Sequence, residues 1–224
     1  MRKKEVLLPL LVSAVALSVP MMSGCRLSTA HQGPQLQQDV KGAQSRLAPI
    51  VILDQGKELR LTIEDVAKYH GDMCACSVAG FRGLQLAISE LWDSEVPDRE
   101  DFRIVSSWPG KGNQDAFEFV TRAKTRDDFT LDLRRQTDVM NVSIDDFTFR
   151  IIRKSTGASV RIRIRTAVLP EVPGGFFALR KKVKFEKTAT PDEKSRFKRA
   201  SQQFRENFLT LPVGEIFTFE KTGP

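Results

Sequence analysis

YHGDMCACSVAGFRG, residues 69–83, places a histidine, an aspartate and two cysteines between His70 and Cys76, then continues with small residues and an arginine. The whole chain of 224 residues has only two histidines and three cysteines, so their crowding here demands a reason. Three readings are open: a metal site, a reactive or redox-active thiol pair, or a tight helix entry built from small buried residues. A disulfide between Cys74 and Cys76 would be strained, so the pair is not a staple for the fold.

The residues after the cysteines decide the local fold. Val78, Phe81, Leu84, Ile88 and Leu91 recur at helical spacing and predict a helix from about Ser77 to Trp92. Ala79, Gly80, Gly83 and Ala87 form a small-residue strip beside that stripe. Each glycine costs about 1 kcal/mol relative to alanine in a helix, a cost that close approach of another backbone would justify. Upstream, Thr62 caps a short predicted helix, Ile63–Tyr69, with Glu64 and Asp65 in its first turn. The quoted segment therefore joins two helices. In an extended loop, residues two apart face the same way, so His70, Asp72, Cys74 and Cys76 can offer an imidazole, a carboxylate and two thiols to one cation. The N-terminus of the second helix also favours a thiolate at Cys74 or Cys76.

Downstream the pattern changes to strands. Phe102–Ser107, Ala116–Thr121, Phe129–Arg134, Phe147–Ile152 and Ser159–Arg165 are read as strands, the last two joined across Lys154–Gly157 as a hairpin. Arg161, Arg163 and Arg165 share one face of their strand, read as a solvated or edge-protecting face in preference to an anion-binding one. Gly110–Asn113 reads first as a glycine turn, and second as a ligand loop in which Lys111 contacts an anion. Thr190-Pro-Asp-Glu193 is a capping box with proline at the first helical position. The long helix it opens carries Phe197, Ala200, Phe204 and Phe208 on one face, and a strand from Ile216 to Phe219 ends the chain. These elements predict an α+β fold: a mainly antiparallel sheet packed with an N-terminal helix pair and a long C-terminal helix.

The N-terminus reads as an export signal. Arg2, Lys3 and Lys4 precede an apolar run from Val6 to Pro20, shorter than the roughly 20 residues that span a bilayer. Met22-Ser-Gly-Cys25 resembles a bacterial lipobox, which implies lipid on Cys25 and cleavage before it. Several acyl chains anchor far better than one. The expected divisions are a signal peptide over 1–24, a lipidated flexible tether over 25–47 containing His31, and one α+β domain over 48–224. Arg26, in place of an aspartate, favours the outer membrane facing the periplasm. Removing the signal lowers the net charge from +7 to about +5. Outside the cytoplasm that balance points to lipid headgroups or acidic partners and away from nucleic acid.

Three segments together resemble the FmdE-like family of formylmethanofuran dehydrogenase proteins. They are His70-Gly-Asp-Met-Cys74-Ala-Cys76 with Gly80-Phe-Arg82, then Gly110-Lys-Gly-Asn113, then Thr190-Pro-Asp-Glu193 with Leu209-Thr-Leu-Pro212. The resemblance implies an α+β core that binds one divalent transition metal, zinc above all, and forms a homodimer. The chain departs from the family pattern where Asp72 replaces a histidine, Ala75-Cys76 replaces Pro-Gly, and Ser107 stands near a family cysteine. On the resemblance the metal ligands are His70, Cys74, Cys76 and Asp72, with Cys76 substituting for a ligand lost near Ser107. Ser107, Gly110, Lys111, Gly112 and Asn113 form the ligand loop. Two functions are expected: a non-catalytic envelope lipoprotein binding a metal or small ligand, or an envelope enzyme using the metal or the thiol pair for hydrolysis or redox chemistry. No complete catalytic constellation is visible in the sequence, and dehydrogenase activity of the chain alone is not expected.

Overall fold

The computed structural model describes residues 47–133 and 142–223. The expected signal segment, Cys25, Arg26, His31 and the tether as far as residue 46 lie outside the described residues, as does Arg134. Strands β1 (Ile50–Asp54) and β2 (Lys57–Leu61) open the domain as a hairpin absent from the sequence expectation. Gln55 and Gly56 turn it with φ of 53° and 76°, a pair of left-handed residues whose twist matches that of the strands. Ile50 and Ile52 are buried while β2 is mostly exposed, so the hydrophobic alternation is written on one strand only.

Helix α1 (Ile63–His70) begins at Thr62, whose hydroxyl accepts from the Asp65 N–H while the Asp65 carboxylate accepts from the Thr62 N–H. It ends at Gly71, φ 90°, whose N–H bonds the Ala67 carbonyl. Three residues later Cys74 caps α2 (Ala75–Leu91). Helix α2 is the spine of the domain. Val78, Phe81 and Leu84 are fully buried, and each side chain of this size contributes about 1.5–3 kcal/mol on burial. Its buried Arg82 donates to the carbonyls of Phe208 (2.8 Å) and Leu211 (3.2 Å), tying α2 to the far end of the C-terminal helix.

Strand β3 (Phe102–Ser106) is followed by α3 (Lys111–Thr121), and here the sequence expectation fails. The Phe117-Glu-Phe119 alternation suggests a strand over 116–121. Instead Ala116, Phe117 and Val120 are buried at helical spacing, and Phe119 is half-buried against the Tyr69 ring at 5.4 Å. The Gly110–Asn113 segment is correspondingly the start of a helix, with Gly110 at its N-cap. The small-residue strip of α2 faces this helix: a Cβ on Gly80 would lie 3.1 Å from both the Asn113 backbone and the Ala116 Cβ. Gly83 meets the Phe149 ring.

Strands β4 (Phe129–Leu131), β5 (Thr148–Arg153) and β6 (Ser159–Ile164) follow, then α4 (Phe176–Lys181), which runs into a π-helical turn over Lys182–Glu186. The capping box at Thr190 starts α5 (Pro191–Thr210), and the one-turn helix α6 (Val213–Ile216) leads into β7 (Phe217–Thr222). The five-stranded sheet has the order β4-β3-β5-β6-β7, antiparallel throughout except for the parallel β3–β4 pair. Its inner face, with Ile104, Phe149, Ile151, Val160 and Ile162, is buried against the helices. Arg103, Arg150, Arg161 and Arg163 lie on the exposed outer face. The fold is thus α+β with a mainly antiparallel sheet, an N-terminal helix pair and a long C-terminal helix, as expected.

Candidate functional site

The α1–α2 junction brings together the last residue of one helix and the cap of the next. Because α1 stops at Gly71, His70 projects from its final turn toward Cys74 at the entrance of α2. The Cys74 Sγ lies 3.6 Å from His70 Nε2. On the other edge of the ring, His70 Nδ1 is 2.8 Å from the Asp115 Oδ2. A carboxylate only accepts, so Nδ1 carries the proton and Nε2 faces the sulfur. Asp115 sits one turn into α3, in a segment that reads in the sequence as a loop before a strand. Read as a helix, 111–121 places Gly112 and Asp115 three apart on one face, and that spacing was the available signal.

Gly112 explains how α3 comes so close. A Cβ there would stand 2.6 Å from the Cys74 Sγ, 2.9 Å from the Cys76 Cβ and 3.0 Å from the Ser77 nitrogen. Only glycine permits the contact.

The cap hydrogen bonds polarise the sulfur. The Ser77 N–H points at Cys74 Sγ at 3.4 Å, and the Ser77 hydroxyl donates to the Cys74 carbonyl at 2.9 Å. The Cys76 thiol, the Ser77 groups and the charge of His70 together outweigh burial and lower the Cys74 thiol to about 5. Cys76 moves the opposite way, well above the usual thiol range, through its hydrogen bond to Cys74, its burial and the Cys74 charge. Burial works against a charged His70, but the Asp115 hydrogen bond and the charges of Cys74 and Asp115 raise it nonetheless. The low-pKa thiol and the raised imidazole are therefore one coupled thiolate–imidazolium pair.

The residues singled out from the sequence divide. His70 and Cys74 converge, and Cys76 adjoins Cys74. Asp72 is exposed on the loop, at the rim of the cavity beside the site. Gly110 lines that cavity and Gly112 touches the sulfur. Lys111 is exposed on the first turn of α3. Asn113 is buried and donates to the Ser106 hydroxyl at 3.3 Å. Ser107 lies away from the site: its hydroxyl bonds that of Thr148 at 2.8 Å and it borders a concavity with Arg150 and Arg161.

The fit of a metal rests on two donors. Bonds of about 2.3 Å to sulfur and 2.0 Å to nitrogen place tetrahedral ligands about 3.5 Å apart, close to the 3.6 Å seen between Cys74 and His70. Among the described residues, however, no group of three or more His, Cys, Asp or Glu side chains is arranged to hold an ion. The described side chains thus supply half of a four-ligand set.

Beside the thiol opens a cavity of about 450 Å³. Trp108, Phe147, Phe176, Phe177, Phe197 and Phe204 form its apolar wall.

A family described as "FmdE, Molybdenum formylmethanofuran dehydrogenase operon" matches residues 69–218 of the chain. Among solved structures, an FmdE-like protein of tungsten formylmethanofuran dehydrogenase from Syntrophus aciditrophicus is similar at 15% identity over 73% of each chain, with a TM-score of 0.38. No curated protein matches the chain.

Proposed function

The chain belongs to the FmdE family, and we propose that its domain is a thiol-dependent acyl hydrolase or transferase centred on Cys74. The observation that carries this reading is the relay Cys74–His70–Asp115, with contacts of 3.6 and 2.8 Å. Nucleophile, base and orienting acid within reach of one another are the arrangement that covalent catalysis requires. Cys74 Sγ bonds to the carbonyl carbon of an ester or thioester, and the bond from that carbon to its leaving oxygen or sulfur breaks. The leaving group takes the proton from His70 Nε2. His70 then accepts a proton from water as the water oxygen attacks the acyl carbon, which releases the acid and restores the thiolate. Asp115 is a positioning residue that holds the Nδ1 proton throughout. Amides at the N-terminus of α2 favour the developing negative charge.

The test is acylation of the full chain by p-nitrophenyl acetate. A nitrophenol burst with one acetyl group on Cys74 by mass spectrometry is expected, abolished in Cys74→Ser and slowed in His70→Gln. Acetyl groups spread over lysines, with none on Cys74, would remove the reading.

One observation favours a second reading. The 3.6 Å sulfur–nitrogen separation suits two ligands of a zinc ion, with Asp115 fixing the His70 ring behind them. Cys76 would turn in as a third donor and Asp72 as a fourth, and the ion would supply Lewis acidity or a purely structural clamp. Elemental analysis of purified protein, with and without Cys76→Ser, separates the readings: stoichiometric zinc that falls with Cys76→Ser supports this one.

In both readings we place the domain on the periplasmic side of the outer membrane, anchored through lipid on Cys25, and we expect a homodimer from the family resemblance. The lipobox-like Met22–Cys25 supports the anchor. Among the described residues no helix is long and apolar enough to cross a membrane. Labelled palmitate incorporated by the wild-type chain and lost in Cys25→Ser is the expected result.

A further inference from the structure

The cavity beside Cys74 has two chemistries in its wall. One side is aromatic: Phe147 and Phe177 lie near-parallel at 5.4 Å, and Phe176 and Phe197 near-parallel at 5.7 Å. The other is cationic. Arg180, Lys184, Lys198 and Arg205 line the same space, and among the described residues Asp72 is the one acid in its wall. Neither arginine is a simple surface group. Arg180 is half-buried, close enough to Cys76 to feel its charge, and burial holds its guanidinium below the usual range. Arg205 is half-buried, and its Nε is shut off from solvent without a hydrogen-bond partner among the described residues. A buried N–H left unpaired is costly, and an acceptor supplied by a ligand would remove that cost. The volume of about 450 Å³ falls within the small-molecule range.

We propose that this cavity binds an aromatic carboxylate, its ring among the phenylalanines and its anionic group at Arg180 and Arg205. The phenylalanine faces favour a flat ring over a flexible chain, because rings stack with offset faces and lose little conformational freedom on binding. The guanidinium fork matches a carboxylate, and Lys184 and Lys198 add positive potential at the exposed edge. Joined to the thiolate centre, this names the substrate class: esters or thioesters whose acyl part is aromatic and anionic. That last step rests on the acyl-transfer reading, whereas the binding itself does not.

The test uses the full chain in nanodiscs of neutral phosphatidylcholine, with Cys74→Ser to silence the nucleophile. Binding is measured by calorimetry for 1-naphthoate, neutral 1-naphthylmethanol, cationic 1-naphthylmethylamine and decanoate. Naphthoate is expected to bind at least tenfold more tightly than naphthylmethanol, with the amine weakest and decanoate weaker than naphthoate. Arg180→Gln and Arg205→Gln are each expected to cut the naphthoate preference at least fivefold while the naphthylmethanol affinity stays within twofold. The exposed Lys184→Gln, whose side chain folding does not need, is expected to reduce the preference by about two- to threefold. Equal affinities for naphthoate and naphthylmethanol would overturn the proposal. So would a preference unchanged in all three variants, or decanoate binding tighter than naphthoate. Because Cys74 is absent from this assay, a failed acylation experiment leaves its outcome untouched, and the converse also holds.

Discussion

Two concavities flank the five-stranded sheet, and they differ in every respect that matters for chemistry. The larger, about 860 Å³, is bordered by the outer-face residues Arg150, Arg161, Arg163 and Thr218 together with Asp132, Asp145 and Asp146. The smaller, about 450 Å³, lies on the helical side and has aromatic walls. On the outer face charges of both signs mingle in water, where a pair such as Arg163–Glu220, 3.9 Å apart and more than half exposed on both sides, contributes little. On the helical side three side chains from three different turns point at one another. Their positions are fixed by the Gly71 stop, the Cys74 cap and the Gly112 contact. Size therefore does not locate function in this fold. Convergence of groups held by backbone devices does.

The largest effect that could break this contrast is loss of the sulfur. Iodoacetamide should label Cys74 in preference to Cys76, and Cys74→Ala should slow labelling at pH 6 by at least about 100-fold. The thiol at about 5 also sets the pH profile. The thiolate is present above that value, so the labelling rate should hold from pH 8 to about pH 6 and then drop tenfold per unit below pH 5. A midpoint near the ordinary thiol value of about 8.5 would dissolve the relay.

A smaller effect is expected at the carboxylate. Asp115→Asn keeps the shape but offers no charge to the His70 ring, so the imidazole loses both orientation and the support that raises it. Turnover at Cys74 should decrease about 10- to 100-fold, and the alkaline limb of its pH profile should shift downward. A residue with only a packing role would lower the melting temperature and leave that limb in place.

Smaller again is a steric test of the device that holds the relay. Gly112→Ala introduces a carbon 2.6 Å from the Cys74 sulfur, and α3 must move away from α2 to accept it. About 1–3 kcal/mol of destabilisation is expected, a fall in melting temperature of about 2–4 °C per kcal/mol, with slower Cys74 labelling. Gly71→Ala, where no neighbour lies within 4 Å but φ is 90°, should cost stability through the backbone alone.

The parts of the molecule legible in the sequence are those written in local chemistry. The two capping boxes at Thr62 and Thr190 read directly, and so did the helical stripe of α2 and the β5–β6 hairpin. The β1–β2 hairpin did not, because β2 spends its alternation on exposed Lys57, Glu58 and Arg60. Helix α3 did not, because Phe117 and Phe119 are both at least partly covered, by different neighbours, and so mimic a strand. That single error hid Asp115, which lies 45 positions from His70 and belongs to the site only through the docking of α3 on α2. Helix α4 and its π turn, which carry Arg180 and Lys184, left no periodic signal in so short a stretch. His70 and Cys74 were legible because four residues and one glycine stop separate them.

The smallest effect belongs to the outer face, and its size is the point of the comparison. In the strand register Arg161 stands between Arg150 on β5 and Glu220 on β7. Replacement by threonine removes a repulsion across one ladder and an attraction across the other, both solvated and both worth a fraction of a kcal/mol. The two changes oppose each other, and threonine suits a strand. Arg161→Thr, alone or with Arg163→Thr, should therefore move stability by no more than about 0.5 kcal/mol. It should leave Cys74 labelling within twofold, because Ile162 and the buried inner face separate the arginines from the helices. Thermal melts at low and high salt are the sensitive check, since screening acts on the repulsion and the attraction together and should leave their difference small. A loss of Cys74 reactivity in this variant would mean that the two faces of the sheet are coupled, and the contrast between them would no longer stand.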